Sequence, residues 1–163
     1  VVWNTHGYEK VETIQKLLPY VDIFLTDFKY FRPETAKKYS NCPDYVENAK
    51  AALNEMVKNK QLEFDGEMLK QGVIVRHLIL PLHTQESKQV LDYLKQNYDK
   101  QILVSVMSQF TPFGECDRFP EINRKLTSRE MKSVNNHFLE LDLDGFIQNS
   151  KSADTCFIPN WNK

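Results

Sequence analysis

The chain has 163 residues and a formal net charge of −1, with 41% hydrophobic and 26% charged side chains. That is material for one domain with a real core, and it offers no electrostatic case for a nucleic-acid partner. No apolar run approaches the ~20 residues that cross a bilayer. Cys42, Cys116 and Cys156 are too few and too scattered for a disulfide framework or a C-x-x-C metal site, so reduced thiols in a cytoplasmic protein are expected.

The opening VVWNTHGYEK reads as the end of a buried strand, Val1 to Trp3, entered part-way and closed by an Asn4-Thr5-His6-Gly7 turn in which Gly7 permits the tight bend. This beginning predicts a fragment of a longer protein. Val11, Ile14, Leu17 and Leu18 follow at helical spacing, and Pro19 ends that helix. VDIFLTDFK is the next strand. RPETAKKYS suits a short helix. CPDYVENAKAALNEMVKNK predicts a stronger one, with Pro43 at a first helical position and Val46, Ala49, Leu53, Met56 and Val57 in one stripe. Asp65-Gly66 marks a hairpin, and GVIVRHLILP is a buried strand stopped by Pro81. TQESKQVLDYLKQNY is an amphipathic helix with Thr84 as its expected N-cap. QILVSVMSQF is another buried strand, followed by a loop over residues 111–126. Thr127 and Glu130 spell a capping box for the last helix; GFIQNS is a final short strand, and CFIPNWNK is an irregular tail. Buried strands alternating with helices predict an α/β fold with a mostly parallel sheet, right-handed crossovers and outer helices, its strands near 22–28, 72–80, 102–109 and 144–148.

The strand ends carry the chemistry. In VDIFLTDFK, Ile23, Leu25, Asp27 and Lys29 share one face and Phe24, Thr26 and Phe28 the other. Both faces are largely apolar, which predicts a strand covered on both sides. Asp27 and Lys29 then fall at its C-terminal end, where parallel sheets place their sites; the plainer reading is a surface ion pair at a loop mouth. Arg76 lies in an otherwise apolar run and shares a face with Ile74 and Leu78. Burying it is costly without an anion, so either Asp27 or an anionic ligand is its expected partner. His77 faces the other way and reads as packing. His6 and His83 are loop histidines without ligand-like spacing.

WNTHG, VDIFLTDFKYF, AKKYSNCPDYVENAKAALNEM, VIVRHLILP, SVMSQFTP and GFIQ, in that order and spacing over nearly the whole chain, resemble radical S-adenosylmethionine (radical SAM) enzymes, most of all the pyruvate formate-lyase-activating enzymes and their relatives. The resemblance implies a partial, TIM-barrel-like (β/α) barrel. It implies an oxidoreductase in which a 4Fe–4S iron–sulfur cluster, held by C-x-x-x-C-x-x-C, binds S-adenosylmethionine and cleaves it to a 5′-deoxyadenosyl radical. That radical takes a hydrogen atom from a glycine of a partner, a glycyl radical enzyme or other protein substrate; flavodoxin or ferredoxin is the expected reductant. The cysteine motif and the family's Gly-Gly-Glu-like segment do not occur in this chain. It matches from the family's third strand onward, so it is expected to be inactive alone.

The resemblance places Asn4 and Thr5 on a family Asp-Thr-Asn-Gly turn near the cofactor, with an amide in place of the acid. Asp27 and Lys29 match an Asp-x-Lys strand end beside the cofactor and the substrate glycine. Arg76 matches an active-site arginine. Residues 107–110, MSQF, stand where the family has Pro-Tyr-His, which leaves Gln109 or Phe110 to contact the adenosyl group. Asn4, Thr5, Asp27 and Gln109 are therefore the expected cofactor contacts, and Lys29 and Arg76 the catalytic candidates; no metal ligand is expected in this chain. A zwitterionic sulfonium ligand needs fixed charges of both signs. Asp27 can accept from its amine or ribose hydroxyls, or hold a cation, while Lys29 and Arg76 can meet carboxylates or a partner's carbonyls. Two other readings stand beside this one: a non-catalytic partial barrel that binds an anionic ligand or a protein, and a conventional barrel enzyme using Asp27 and Lys29 as an acid/base pair.

Overall fold

The computed structural model describes residues 1–112 and 114–148; the tail CFIPNWNK and Cys156 lie outside the described residues. The elements run β1 (Val2–Thr5), α1 (Val11–Leu17), β2 (Ile23–Asp27), α2 (Pro33–Ser40), α3 (Tyr45–Asn59), β3 (Glu63–Asp65), β4 (Met68–Leu78), α4 (Thr84–Tyr98), β5 (Leu103–Met107), α5 (Ser128–Glu140) and β6 (Gly145–Gln148). Single 3₁₀ turns cover Asp99–Gln101 and Gly114–Arg118.

The sheet order is β1-β2-β4-β5-β6, every neighbouring pair parallel. β3 is only the antiparallel arm of a hairpin on the first half of β4, turning at Gly66–Glu67 as the Asp65-Gly66 signal predicts. Because successive parallel strands are always neighbours, right-handed crossovers must all lay their helices on one side. The burial pattern agrees. Phe24, Thr26 and Phe28 of the β2 segment, Val73, Val75 and His77 of β4, and Val104 and Val106 of β5 are buried. The alternate residues, Ile23, Leu25 and Asp27 with Ile74, Arg76 and Leu78, are half-buried. The expectation of two covered faces is thus corrected: helices cover one face, and the other is an open inner face. This is an α/β fold with a parallel sheet and outer helices.

Under the helices, Phe24, Leu53, Met56, Leu91 and Leu94 are fully enclosed, each contributing about 2 kcal/mol by removal from water. The predicted α3 stripe is buried residue for residue. Two helix starts differ from expectation. Pro43 sits before α3, which begins at Tyr45. Thr84 is the first residue of α4 and His83 the N-cap. Neither α2 nor α4 has a side-chain cap of its own, and the start of α2 is held instead from α4. Buried Glu86 accepts from the Phe31 and Arg32 N–H groups at 2.8 and 2.9 Å and from the Thr35 hydroxyl at 2.8 Å. The α5 capping box is formed as expected. Its Glu130 also accepts from Leu82 N–H at 2.8 Å and from both Arg124 terminal nitrogens at 2.8 and 2.9 Å, joining the connection after β4 to the long loop before α5. The Arg124 guanidinium holds the Glu130 carboxyl below the usual carboxylate range. No helix among the described residues is long and apolar enough to cross a membrane.

Candidate functional site

Asp27 and Arg76 are direct partners in the β2–β4 register, so period-2 alternation sends both side chains to the inner face. Arg76 Nε donates to Asp27 Oδ1 at 2.8 Å, and Nη2 stands 2.6 Å from the same oxygen. The same Nη2 donates to Asn4 Oδ1 at 2.7 Å across β1. The lone arginine of the apolar strand therefore meets its anion within the sheet, and the cation that Asp27 holds is a guanidinium. Asp27 Oδ2 is left for two further neighbours: Lys29 Nζ at 3.8 Å and His6 Nδ1 at 3.3 Å. The two charged side chains remain reachable, 13% exposed for Asp27 and 22% for Arg76.

Asp27, Lys29, Tyr30 and Arg76 line an open cleft of about 270 Å³ together with Leu78, Leu80, Met107 and Phe110. Fixed charges of both signs thus share a cleft with apolar side chains at the C-terminal side of the parallel strands, a lining suited to a ligand with ionic and apolar parts. Gln109 is exposed in the loop beyond β5, with Met107 and Phe110 as the residues of that segment on the cleft. Thr5 turns to the opposite face of β1 and is buried. Its hydroxyl donates to Glu9 Oε1 at 2.8 Å and accepts from Gly7 N–H at 3.2 Å, organising the turn below the site.

The turn itself is clamped. Gly7 has φ +78°, and a Cβ there would stand 2.2 Å from the Asp27 carbonyl oxygen. Buried Tyr45 of α3 donates its hydroxyl to the His6 carbonyl at 3.0 Å and accepts from Lys29 N–H at 3.0 Å; burial pushes this phenol up. Tyr45 thus ties the ends of β1 and β2 together. Sequence reasoning missed Tyr45, and it missed His6 as a member of the site. The available signal was adjacency: parallel β1 beside β2 sets the NTHG turn against Asp27. His77 is packing, as expected. It is buried, with Nδ1 2.7 Å from the Phe28 carbonyl and Nε2 2.9 Å from Ser87 Oγ. The carbonyl can only accept, so Nδ1 carries the proton and Nε2 accepts from Ser87; burial pushes the imidazole down toward this neutral form.

Among the described residues no group of three or more His, Cys, Asp or Glu side chains is placed to hold a metal ion. No protein-family model matches the chain. It is 34% identical over 135 residues to the uncharacterized protein MJ0674 of Methanocaldococcus jannaschii; the match takes in 82% of this chain and 36% of that protein, so the chain spans about a third of the length of this relative. A crystal structure of a domain of pyruvate-formate lyase-activating enzyme from Bacteroides vulgatus is similar with a TM-score of 0.60, covering 91% of this chain and 80% of that one at 9% identity. That likeness shows the fold.

Proposed function

We propose that this chain forms part of the active site of a radical S-adenosylmethionine enzyme of the activating type, which generates a glycyl radical on a partner enzyme. One observation carries the reading: Asp27, Lys29 and Arg76 meet at the C-terminal ends of adjacent parallel strands, in a cleft they line together with apolar side chains. The activating-enzyme-like frame supports it. Asp27, through the Oδ2 that Arg76 leaves free, accepts from the amine or ribose hydroxyls of S-adenosylmethionine. Lys29 and Arg76 attract its carboxylate. Leu78, Met107 and Phe110 give the adenosyl group an apolar surface and exclude water. Bound beside a reduced 4Fe–4S cluster, S-adenosylmethionine supplies the hydrogen-abstracting chemistry. The described residues offer no ligand set for that cluster, and on this reading its ligands come from elsewhere in the parent protein, as does the docking of a flavodoxin or ferredoxin reductant.

The test uses the complete parent protein, reconstituted with iron and sulfide and chemically reduced, with 5′-deoxyadenosine measured by chromatography. Cleavage is expected, lowered in Asp27→Asn. Lys29→Met is expected to spare cleavage more than glycyl-radical formation on a co-expressed partner, read by electron paramagnetic resonance. No cleavage by a well-reconstituted parent overturns the enzyme reading; cleavage without a radical on any partner overturns the activating role.

A further inference from the structure

His6 stands where one ring nitrogen faces two groups with opposite demands. Its Nδ1 lies 3.3 Å from Asp27 Oδ2 and 3.4 Å from Lys29 Nζ. The carboxylate oxygen can only accept and needs an N–H; the ammonium can only donate and needs a lone pair. A single nitrogen supplies one or the other. The imidazole is 81% exposed, yet its place is set from behind. Tyr45 holds the His6 carbonyl, Gly7 lies against the Asp27 carbonyl, and Thr5 closes the turn. The opposite oxygen of Asp27 is already taken by Arg76, which leaves Oδ2 as the one contested by imidazole and ammonium.

We infer that His6 is a positioning residue for Lys29: with Nδ1 bare it holds the ammonium against the rim, and with Nδ1 protonated it takes Asp27 Oδ2 and releases the ammonium to an anionic group in the cleft. The inference rests on the reading above in giving Lys29 a ligand to meet. The proton comes from solvent, to which the ring is open. Asp27 and Lys29 of the β2 end face the imidazole, and Arg76 of β4 acts through Asp27. From α3 the Tyr45 phenol touches the His6 backbone, and the neighbouring Tyr8 hydroxyl is turned to Asp44 at 2.7 Å. With that proton taken up, a carboxylate in the cleft gains a freed ammonium and a nearby imidazolium, and both act in the same direction. Anion affinity therefore rises as pH falls.

Two measurements on this chain test it. In nuclear magnetic resonance without ligand, the relaxation of the Lys29 Cε carbon reports an ordered side chain at the alkaline end and a mobile one at the acid end. The change shares its midpoint with the His6 ring and is absent in His6→Gln, whose amide gains no proton. A Lys29 signal that ignores the His6 midpoint, or behaves identically in His6→Gln, overturns the inference. In calorimetry with butyrate as a carboxylate probe, the ratio of affinities at about pH 5.5 and pH 8 is compared between the two proteins, so that the probe's own titration cancels. The wild-type ratio is expected to exceed that of His6→Gln by about fivefold, the size of one partly exposed charge-assisted contact; equal ratios overturn the inference. Absence of probe binding at every pH overturns the anion-binding part of the inference, and the relaxation measurement still decides the role of His6.

Discussion

A methyl group on Gly7 would stand 2.2 Å from the Asp27 carbonyl oxygen, at a backbone φ of +78°. Gly7→Ala therefore meets a steric and a conformational cost together, about 3 kcal/mol. Gly66 provides the control: its φ is +59°, but a Cβ there meets nothing within 4 Å, so Gly66→Ala is expected to cost about 1 kcal/mol. Urea midpoints at unchanged slope measure both, and equal losses would show that the close approach does not constrain the turn. That NTHG bends tightly was legible in the sequence. What the bend presses on was not, because the carbonyl belongs to a residue twenty positions on. Arg76 was legible to the same depth: its isolation in an apolar strand demanded an anion, and only the β2–β4 register shows Asp27 opposite it.

At the scale of elements, α2 depends on a residue of α4. Burial pushes the Glu86 carboxyl up, but hydrogen bonds from His83, the Arg32 and Phe31 N–H groups and the Thr35 hydroxyl outweigh it and bring it down to about 2. A carboxyl held below its unfolded value of about 4.3 stabilises the folded state above that value and loses the contribution as pH falls toward 2. Glu86→Gln is expected to cost on the order of 3 kcal/mol at pH 7 and much less near pH 2, read as the difference in denaturation free energy between the two proteins at each pH. A gap that stays constant across that range would mean that Glu86 acts through packing alone. The helices themselves were legible from their spacing, as the buried α3 stripe shows, and so was the Thr127–Glu130 box, because all its partners lie within one turn. The cap on α2 comes from fifty-odd residues away, beyond any local pattern.

Across the whole molecule, β2, β4 and β5 pair on both sides, while β1 and β6 pair on one within the described sheet. Amide hydrogen exchange on this chain is expected to be slowest in the Val73–Val75 stretch and fastest, among strand amides, in β1 and β6, since an edge opens without breaking a second ladder. Protection in β1 equal to that in β4 would mean that another segment covers that edge. The two sides of the sheet differ as well. Phe24, Val73, Val75 and Val104 lie under helices, whereas Ile23, Leu25 and Ile74 are only half-covered.

By itself the sequence determined which segments are strands and helices, and that the strands outside the Asp65-Gly66 hairpin run parallel. Those properties come from side-chain period and from the length of chain needed to return between strands. It also marked Asp27, Lys29 and Arg76 as charges out of place in apolar strands. Only the tertiary structure decided which face of the sheet stays open, since Ile23 and Phe24 are equally apolar and only the side taken by the crossovers separates them. Only the tertiary structure brought His6 to the same carboxylate as Arg76, and Asn4 to that guanidinium, because those contacts join separate strand ends and depend on register.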